Sequence, residues 1–152
     1  MLPRSVIGLF SFSILFIMAG YFLINPSYEK SIKAKYYFET GDYKEAYALA
    51  QEAFSIDVYN RMAATVMAQS KTSLRYVKYN DQAKKYMAQI DEIAFHKNIS
   101  EADKAKIRLI CEIMVGSYTK LAPSIITDKD LVQKTANYYK KFEKLLEKVT
   151  RH

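Results

Sequence analysis

Residues that interrupt helices are rare in this chain of 152 residues. After Pro26, proline occurs only at Pro123, and glycine occurs only at Gly41 and Gly116. Glycine and proline are the two residues that destabilise a helix interior most. Alanine, lysine, glutamate and leucine, which favour helices, are abundant instead. The sequence therefore predicts an all-α fold.

The stretch from Ser5 to Ile24, SVIGLFSFSILFIMAGYFLI, contains no charged residue. As a helix it would be about 30 Å long, which matches the hydrocarbon core of a bilayer. It exceeds the apolar part of a usual secretory signal, and Pro26 ends it. We predict a tail at residues 1–4 and a transmembrane anchor at residues 5–24. A cleaved signal and a buried soluble helix are the alternatives.

Basic residues near the span bear on its orientation. Arg4 precedes the span, whereas Lys30, Lys33 and Lys35 follow it, and a bare count would leave the C-terminal part in the cytoplasm. A short N-terminal anchor before a domain is, on the other hand, a common bacterial way to display a module outside the inner membrane. We predict a single-pass bacterial inner-membrane protein with a periplasmic domain, and the cytoplasmic orientation stays as the alternative.

Residues 25–152 divide into six segments with helical patterning. Ser100 can cap the fifth segment, and Asp103 stands at the capping-box position three residues later. A turn is expected around Leu74–Asn80. The predicted helices span about residues 27–40, 42–56, 58–74, 77–96, 100–121 and 128–150.

Small residues recur where the first two segments should touch, at Ala34, Ala46, Ala50 and Ala53. Close antiparallel packing of two helices needs small side chains at the contact. Gly41 can adopt the left-handed conformation that ends one helix, and Asp42 can cap the next. These signals predict a helical hairpin.

The same stretch carries the ordered set Ala34, Tyr37, Gly41-Asp42-Tyr43, Ala46, Ala53 and Asp57. This order and spacing resemble a tetratricopeptide repeat over residues 27–57. One such unit cannot bury its own faces, so residues 58–96 are interpreted as a degenerate second repeat and residues 100–150 as a divergent cap. The resemblance implies about three antiparallel hairpins in an α-solenoid that binds a protein partner on its inner face.

The geometry of that family places a set of residues on the inner face. These predicted partner-binding residues are Ser31, Lys35, Phe38, Glu39, Met62, Thr65, Gln69 and Thr72. Some repeats of the family grip carboxylates with lysine and asparagine at the positions that Ser31 and Lys35 occupy here. An apolar or mixed peptide, or a partner helix, is therefore the expected ligand. The alternative is that these residues only face solvent.

The last segment has a heptad pattern, at Leu131, Thr135, Tyr138, Phe142, Leu145 and Val149. Packing within the chain and pairing of helix 128–150 with a second copy or a partner both produce such a pattern. Tyr139 lies beside this seam and is a further predicted partner contact, because tyrosine is favoured at interfaces.

Residues with catalytic or metal-binding chemistry are few. His96 and His152 have no second histidine at ligand spacing, and Cys111 falls at a core position of the fifth segment. No catalytic, cofactor-binding or metal site is predicted. The net charge is +7, from 23 Lys/Arg and 16 Asp/Glu, but the signs alternate along the helices, so we expect no nucleic acid partner.

These features together predict a non-enzymatic, membrane-anchored scaffold or adaptor for protein–protein interaction. Its expected host is a bacterial envelope machine such as a flagellar motor, a pilus or a secretion apparatus. An assembly or quality-control chaperone for membrane-protein subunits is the first alternative. A basic helical module that binds nucleic acid or anionic lipid is the second.

Overall fold

The computed structural model describes residues 4–96, 98–125 and 127–151, and its regular structure there consists of helices without a strand. The all-α prediction is confirmed. Of the predicted tail at residues 1–4, all but Arg4 lies outside the described residues. The helices are α1 (Arg4–Ile24), α2 (Pro26–Glu39), α3 (Tyr43–Ile56), α4 (Arg61–Ala94), α5 (Glu101–Tyr118) and α6 (Lys129–Thr150).

Helix α4 is continuous over 34 residues, so the turn predicted around Leu74–Asn80 is wrong. The second hairpin expected at residues 58–96 is therefore wrong as well. The helix continues because it contains neither glycine nor proline and because one stripe of it is buried without interruption. That stripe includes Ala63, Val66, Ser70, Ser73, Tyr76, Asn80 and Ala83.

The chain forms two compact units, and the division between them falls within α4. Unit 1 is Met1–Ser70 and unit 2 is Lys71–His152. The core of unit 1 contains Ala34, Ala46, Ala50 and Val66, with Tyr37, Phe38, Leu49 and Met67 packed around it. Since the three alanines are fully buried, the close contact predicted between α2 and α3 is confirmed.

The turn between α2 and α3 forms as its sequence predicts. Gly41 has a φ of 88°. The backbone N–H of Gly41 donates to Phe38 O at 3.2 Å and that of Asp42 to Tyr37 O at 2.9 Å, which is the Schellman arrangement. The Asp42 side chain then accepts from Glu45 N at 3.1 Å and caps α3.

A buried polar cluster joins three helices of unit 1. The Asn60 amide Nδ2 donates to Ser27 Oγ at 2.8 Å and to Ser31 Oγ at 3.3 Å. Ser27 Oγ donates in turn to Ala53 O at 2.8 Å, and Asn60 Oδ1 accepts from Ala63 N at 3.1 Å. The cluster therefore ties the start of α2 to the end of α3 and to the start of α4.

Unit 2 packs the C-terminal part of α4 with α5 and α6. Its buried core contains Tyr79, Ala83, Ile90, Ile93, Ile107, Ile110, Cys111, Met114 and Phe142. Tyr138, Leu145 and Val149 of the heptad seam pack against this core, so the seam is used within the chain, the first of the two alternatives. Ser100 and Asp103 form the predicted capping box at the start of α5.

Candidate interaction surfaces

Helix α1 exposes large apolar side chains around its circumference. Leu9, Phe10, Phe12, Leu15, Phe16 and Ile17 are each 64% to 75% exposed. Contiguous apolar surface of this kind marks a contact with lipid or with another protein. Among the described residues, no single helix is both long enough and apolar enough to cross a membrane; Val6–Tyr21 and Pro26–Glu39, which meet at 71°, reach that length and composition only together.

The structure separates the four predicted partner-binding residues of α2. Lys35 and Glu39 are exposed and form an ion pair at 3.7 Å. Phe38 is half-buried, packs on the core of unit 1 and contacts the Tyr43 ring edge-on at 5.5 Å. Ser31 is fully buried and donates to Tyr28 O at 2.9 Å. The prediction that Ser31 lies on a binding surface is therefore wrong, because its hydroxyl belongs to the cluster around Asn60.

The four predicted partner-binding residues of α4 are accessible to different degrees. Met62 and Thr65 are exposed, whereas Gln69 and Thr72 are half-buried. Thr72 belongs to unit 2 and the other three belong to unit 1. Met62 and Thr65 are thus the members of this set that a partner of unit 1 could reach most directly, and their role stays a prediction.

Tyr139, predicted as a partner contact, has contacts inside unit 2. Its ring stacks on Tyr118 with 4.3 Å between centroids and 20° between planes. Its hydroxyl donates to Glu143 Oε1 at 2.7 Å, and this hydrogen bond is the main cause that raises the pKa of Tyr139. Tyr118 also contacts the buried ring of Tyr79 edge-on at 6.0 Å. A partner would meet only the part of Tyr139 that this stack leaves accessible.

Helix α5 carries an exposed apolar pair that the sequence analysis missed. Leu109 is 57% exposed and Ile113 is 46% exposed. Their spacing of four residues places both on one side of α5, away from the side on which Ile110 and Met114 are buried. The sequence feature that could have revealed this pair is its position on α5, outside the apolar stripe that faces the core.

A second apolar surface that the sequence analysis missed lies in unit 1, at the junction of α1 with α2 and at the turn between α3 and α4. Here Ile24 is 83%, Ile56 49%, Val58 58% and Tyr59 88% exposed. We call these four residues the apolar tip. Ile24 and Ile56 line one groove together with Pro26, so the tip is continuous with the end of α1.

Metal ligation and thiol reactivity can be assessed in the described part of the chain. No group of three or more His, Cys, Asp or Glu side chains there could hold a metal ion. Cys111 is fully buried, and burial, with a smaller contribution from Glu112, raises its thiol pKa to about 11. The thiol is therefore protonated near neutral pH and unreactive as a nucleophile.

No family model, no curated protein and no solved structure matches this chain. The resemblance of residues 27–57 to a tetratricopeptide repeat stays a prediction from the sequence. The function of the chain has to be argued from its own surfaces.

Proposed function

We propose that this chain is a non-enzymatic, membrane-anchored adaptor that holds another protein through its helical units. The observation that supports this best is the distribution of apolar surface. The described side chains of α1 from Val6 to Ile17 are exposed, whereas the following helices bury apolar side chains in two cores. A helix that is apolar on all sides is stable in lipid or deep in a large core.

The anchor has enough apolar surface to hold the chain in a bilayer. Each large side chain contributes about 1.5–3 kcal/mol when it leaves water completely, and seven described side chains of α1, Ile24 among them, are at least 64% exposed. Their insertion would also leave the units of the domain confined to two dimensions. Confinement raises the effective concentration toward a partner in the same membrane.

The exposed pair Leu109 and Ile113 supports a protein partner. Two large apolar side chains at positions i and i+4 are the pattern by which a helix contacts a groove or another helix. Lys35, Glu39, Met62 and Thr65 are the exposed members of the contact set predicted for unit 1. The pair on α5 is the first candidate in unit 2, because both side chains offer apolar area that the fold itself leaves in water.

The host that we propose is a bacterial inner membrane, with the helical units in the periplasm and an envelope machine as the assembly served. A flagellar motor, a pilus or a secretion apparatus fits a small anchored adaptor. This choice of host follows an analogy with other anchored helical modules. Paired reporters fused after Arg151 test the orientation: activity of the reporter that works only outside the inner membrane is expected, and activity of the cytoplasmic reporter alone would contradict it.

The contact itself is tested by site-specific photo-crosslinking in the native membrane. A photoreactive phenylalanine analogue replaces Leu109, and a matched variant carries it at Glu101, which is also exposed on α5. We expect one discrete crosslinked product from position 109 and none from position 101. The double variant Leu109→Ser, Ile113→Ser should lose the partner and keep its helicity, since exposed substitutions change stability by only about 0.5 kcal/mol. Equal crosslinking at both positions, or none at 109, would contradict the proposed surface.

A further inference from the structure

The apolar tip is tied by hydrogen bonds to the end of α1. Only Asn25 separates α1 from α2. Its side chain accepts from Ser27 N at 3.0 Å and donates to Tyr21 Oη at 3.2 Å. The hydrogen bond from Asn60 to Ser27 then fixes the turn that carries Val58 and Tyr59 next to this junction. The tip and the end of α1 therefore form one surface of unit 1.

We propose that the apolar tip lies in the interfacial region of the same membrane that α1 enters, and that it holds unit 1 against the bilayer. This inference rests on the proposed anchoring by α1. If α1 enters the bilayer along its normal, as the proposed anchoring requires, the angle of 71° between Val6–Tyr21 and Pro26–Glu39 directs α2 along the membrane surface more than away from it. Helix α3 returns beside α2 and ends at Ile56, so the turn that follows lies at the depth of the junction.

Lipid fits the tip better than a protein partner does. A stable protein interface needs about 800 Å² from each side, and four side chains around a turn form a smaller patch. Tyrosine is enriched at the boundary between lipid and water, where its ring is buried and its hydroxyl stays hydrated. Tyr59 combines the greatest exposure in the patch with this chemistry.

Charges around the tip are balanced. Glu29 and Lys30 lie at the start of α2, and Asp57 and Arg61 flank the turn. Lys30 also forms an ion pair with Glu52 at 2.7 Å. Contact by apolar side chains should consequently occur on zwitterionic lipid, without a requirement for anionic headgroups.

The absence of tryptophan from the sequence makes a clean test possible. Tyr59→Trp gives the full chain a single tryptophan in the tip. Tyr36→Trp is the comparison variant, because Tyr36 is also exposed, at 64%, and lies about 15 Å along α2 from its start, on the part of α2 that is farther from the bilayer. Phe16→Trp reports on α1 itself. Each variant is reconstituted in two sets of phosphatidylcholine vesicles, in which the acyl chains are brominated either near the headgroup, the depth expected for position 59, or near the chain end, the depth expected for position 16. Bromine quenches tryptophan on contact.

We expect the fluorescence of the Tyr59→Trp variant to fall by about twofold or more in brominated vesicles, since interfacial side chains sit at the headgroup–acyl boundary. Tyr36→Trp should be quenched clearly less than Tyr59→Trp, and equal quenching at both positions overturns the contact at the tip. Quenching at position 16 with none at position 59 overturns the tip contact and leaves the anchor intact. No quenching at position 16 overturns the anchor and the tip contact with it. A Tyr59→Trp variant that is shielded from iodide but unquenched by lipid shows a protein contact instead and also overturns the proposal.

Discussion

Replacing Asn60 with alanine tests how unit 1 is held together. Asn60 is fully buried and makes two side-chain hydrogen bonds to Ser27 and Ser31. It also caps α4 through its bond with Ala63 N. The substitution Asn60→Ala removes all three interactions at once.

The expected loss follows from these contacts. An N-cap contributes about 1 kcal/mol, and each of two buried hydrogen bonds contributes about 0.5–1.5 kcal/mol. We expect Asn60→Ala to destabilise unit 1 by about 2–4 kcal/mol. Asn60→Ser should recover about 1 kcal/mol, because serine can cap α4 but is too short to reach Ser27 and Ser31.

The assay is native-state hydrogen exchange of the full chain in mild detergent, read on peptides from α2 and α3. At 1.4 kcal/mol per factor of ten, exchange through opening of unit 1 should become roughly 30- to 700-fold faster. Asp42→Ala is the control, since this exposed cap makes one bond to Glu45 N and should cost about 1 kcal/mol. If Asn60→Ala accelerates exchange no more than Asp42→Ala does, the buried cluster stabilises unit 1 no more than a single exposed cap does.

Three further predictions concern Gly41, Cys111 and Phe142. Gly41→Ala should lower the free energy of unfolding in urea by about 1–2 kcal/mol, because φ is positive at this position. Gly116 lies inside α5 and is equally free of contacts, so Gly116→Ala should stabilise the chain by up to about 1 kcal/mol. Equal effects of the two substitutions would show that the positive φ of Gly41 is not the cause. Cys111 should resist alkylation until the chain unfolds, and alkylation at the rate of a free thiol would contradict this. Because the pKa of its thiol is raised from 9.0 to about 11 in the folded chain, its contribution to stability is present below pH 9.0 and is lost as pH rises through about 11. Phe142→Ala should cost about 3–5 kcal/mol in urea because the ring is fully buried. Tyr139→Phe keeps the stack on Tyr118 and loses only an exposed hydrogen bond, so it should lower the stability much less. Similar losses for both would place the core of unit 2 elsewhere.

Local signals correctly predicted the turn between α2 and α3 and the start of α5. Gly41 with Asp42, and Ser100 with Asp103, act through hydrogen bonds to backbone groups within a few residues. Such bonds depend little on the rest of the fold. The hairpin of α2 and α3 was accessible to sequence analysis for the same reason, since its alanines mark a contact between neighbours in the chain.

The continuity of α4 was not accessible in this way. Its buried stripe runs through Ser70, Ser73 and Asn80, which are polar and so do not register as a hydrophobic period. Asn80 is buried because Thr135, 55 positions away, donates to its Oδ1 at 3.0 Å. A polar residue that meets its partner only in the folded chain looks like part of a turn in the sequence.

The sequence by itself determined the helical class, the caps, the small residues between α2 and α3, and the uncharged character of α1. Each of these depends on the intrinsic preference of a residue or on neighbours close in the chain. The tertiary structure decided which polar side chains are buried and which apolar ones stay in water. Ser31 turned inward to Asn60, while Leu109 and Tyr59 stayed exposed, because burial depends on which helices meet, and that is set by contacts between residues far apart in the sequence.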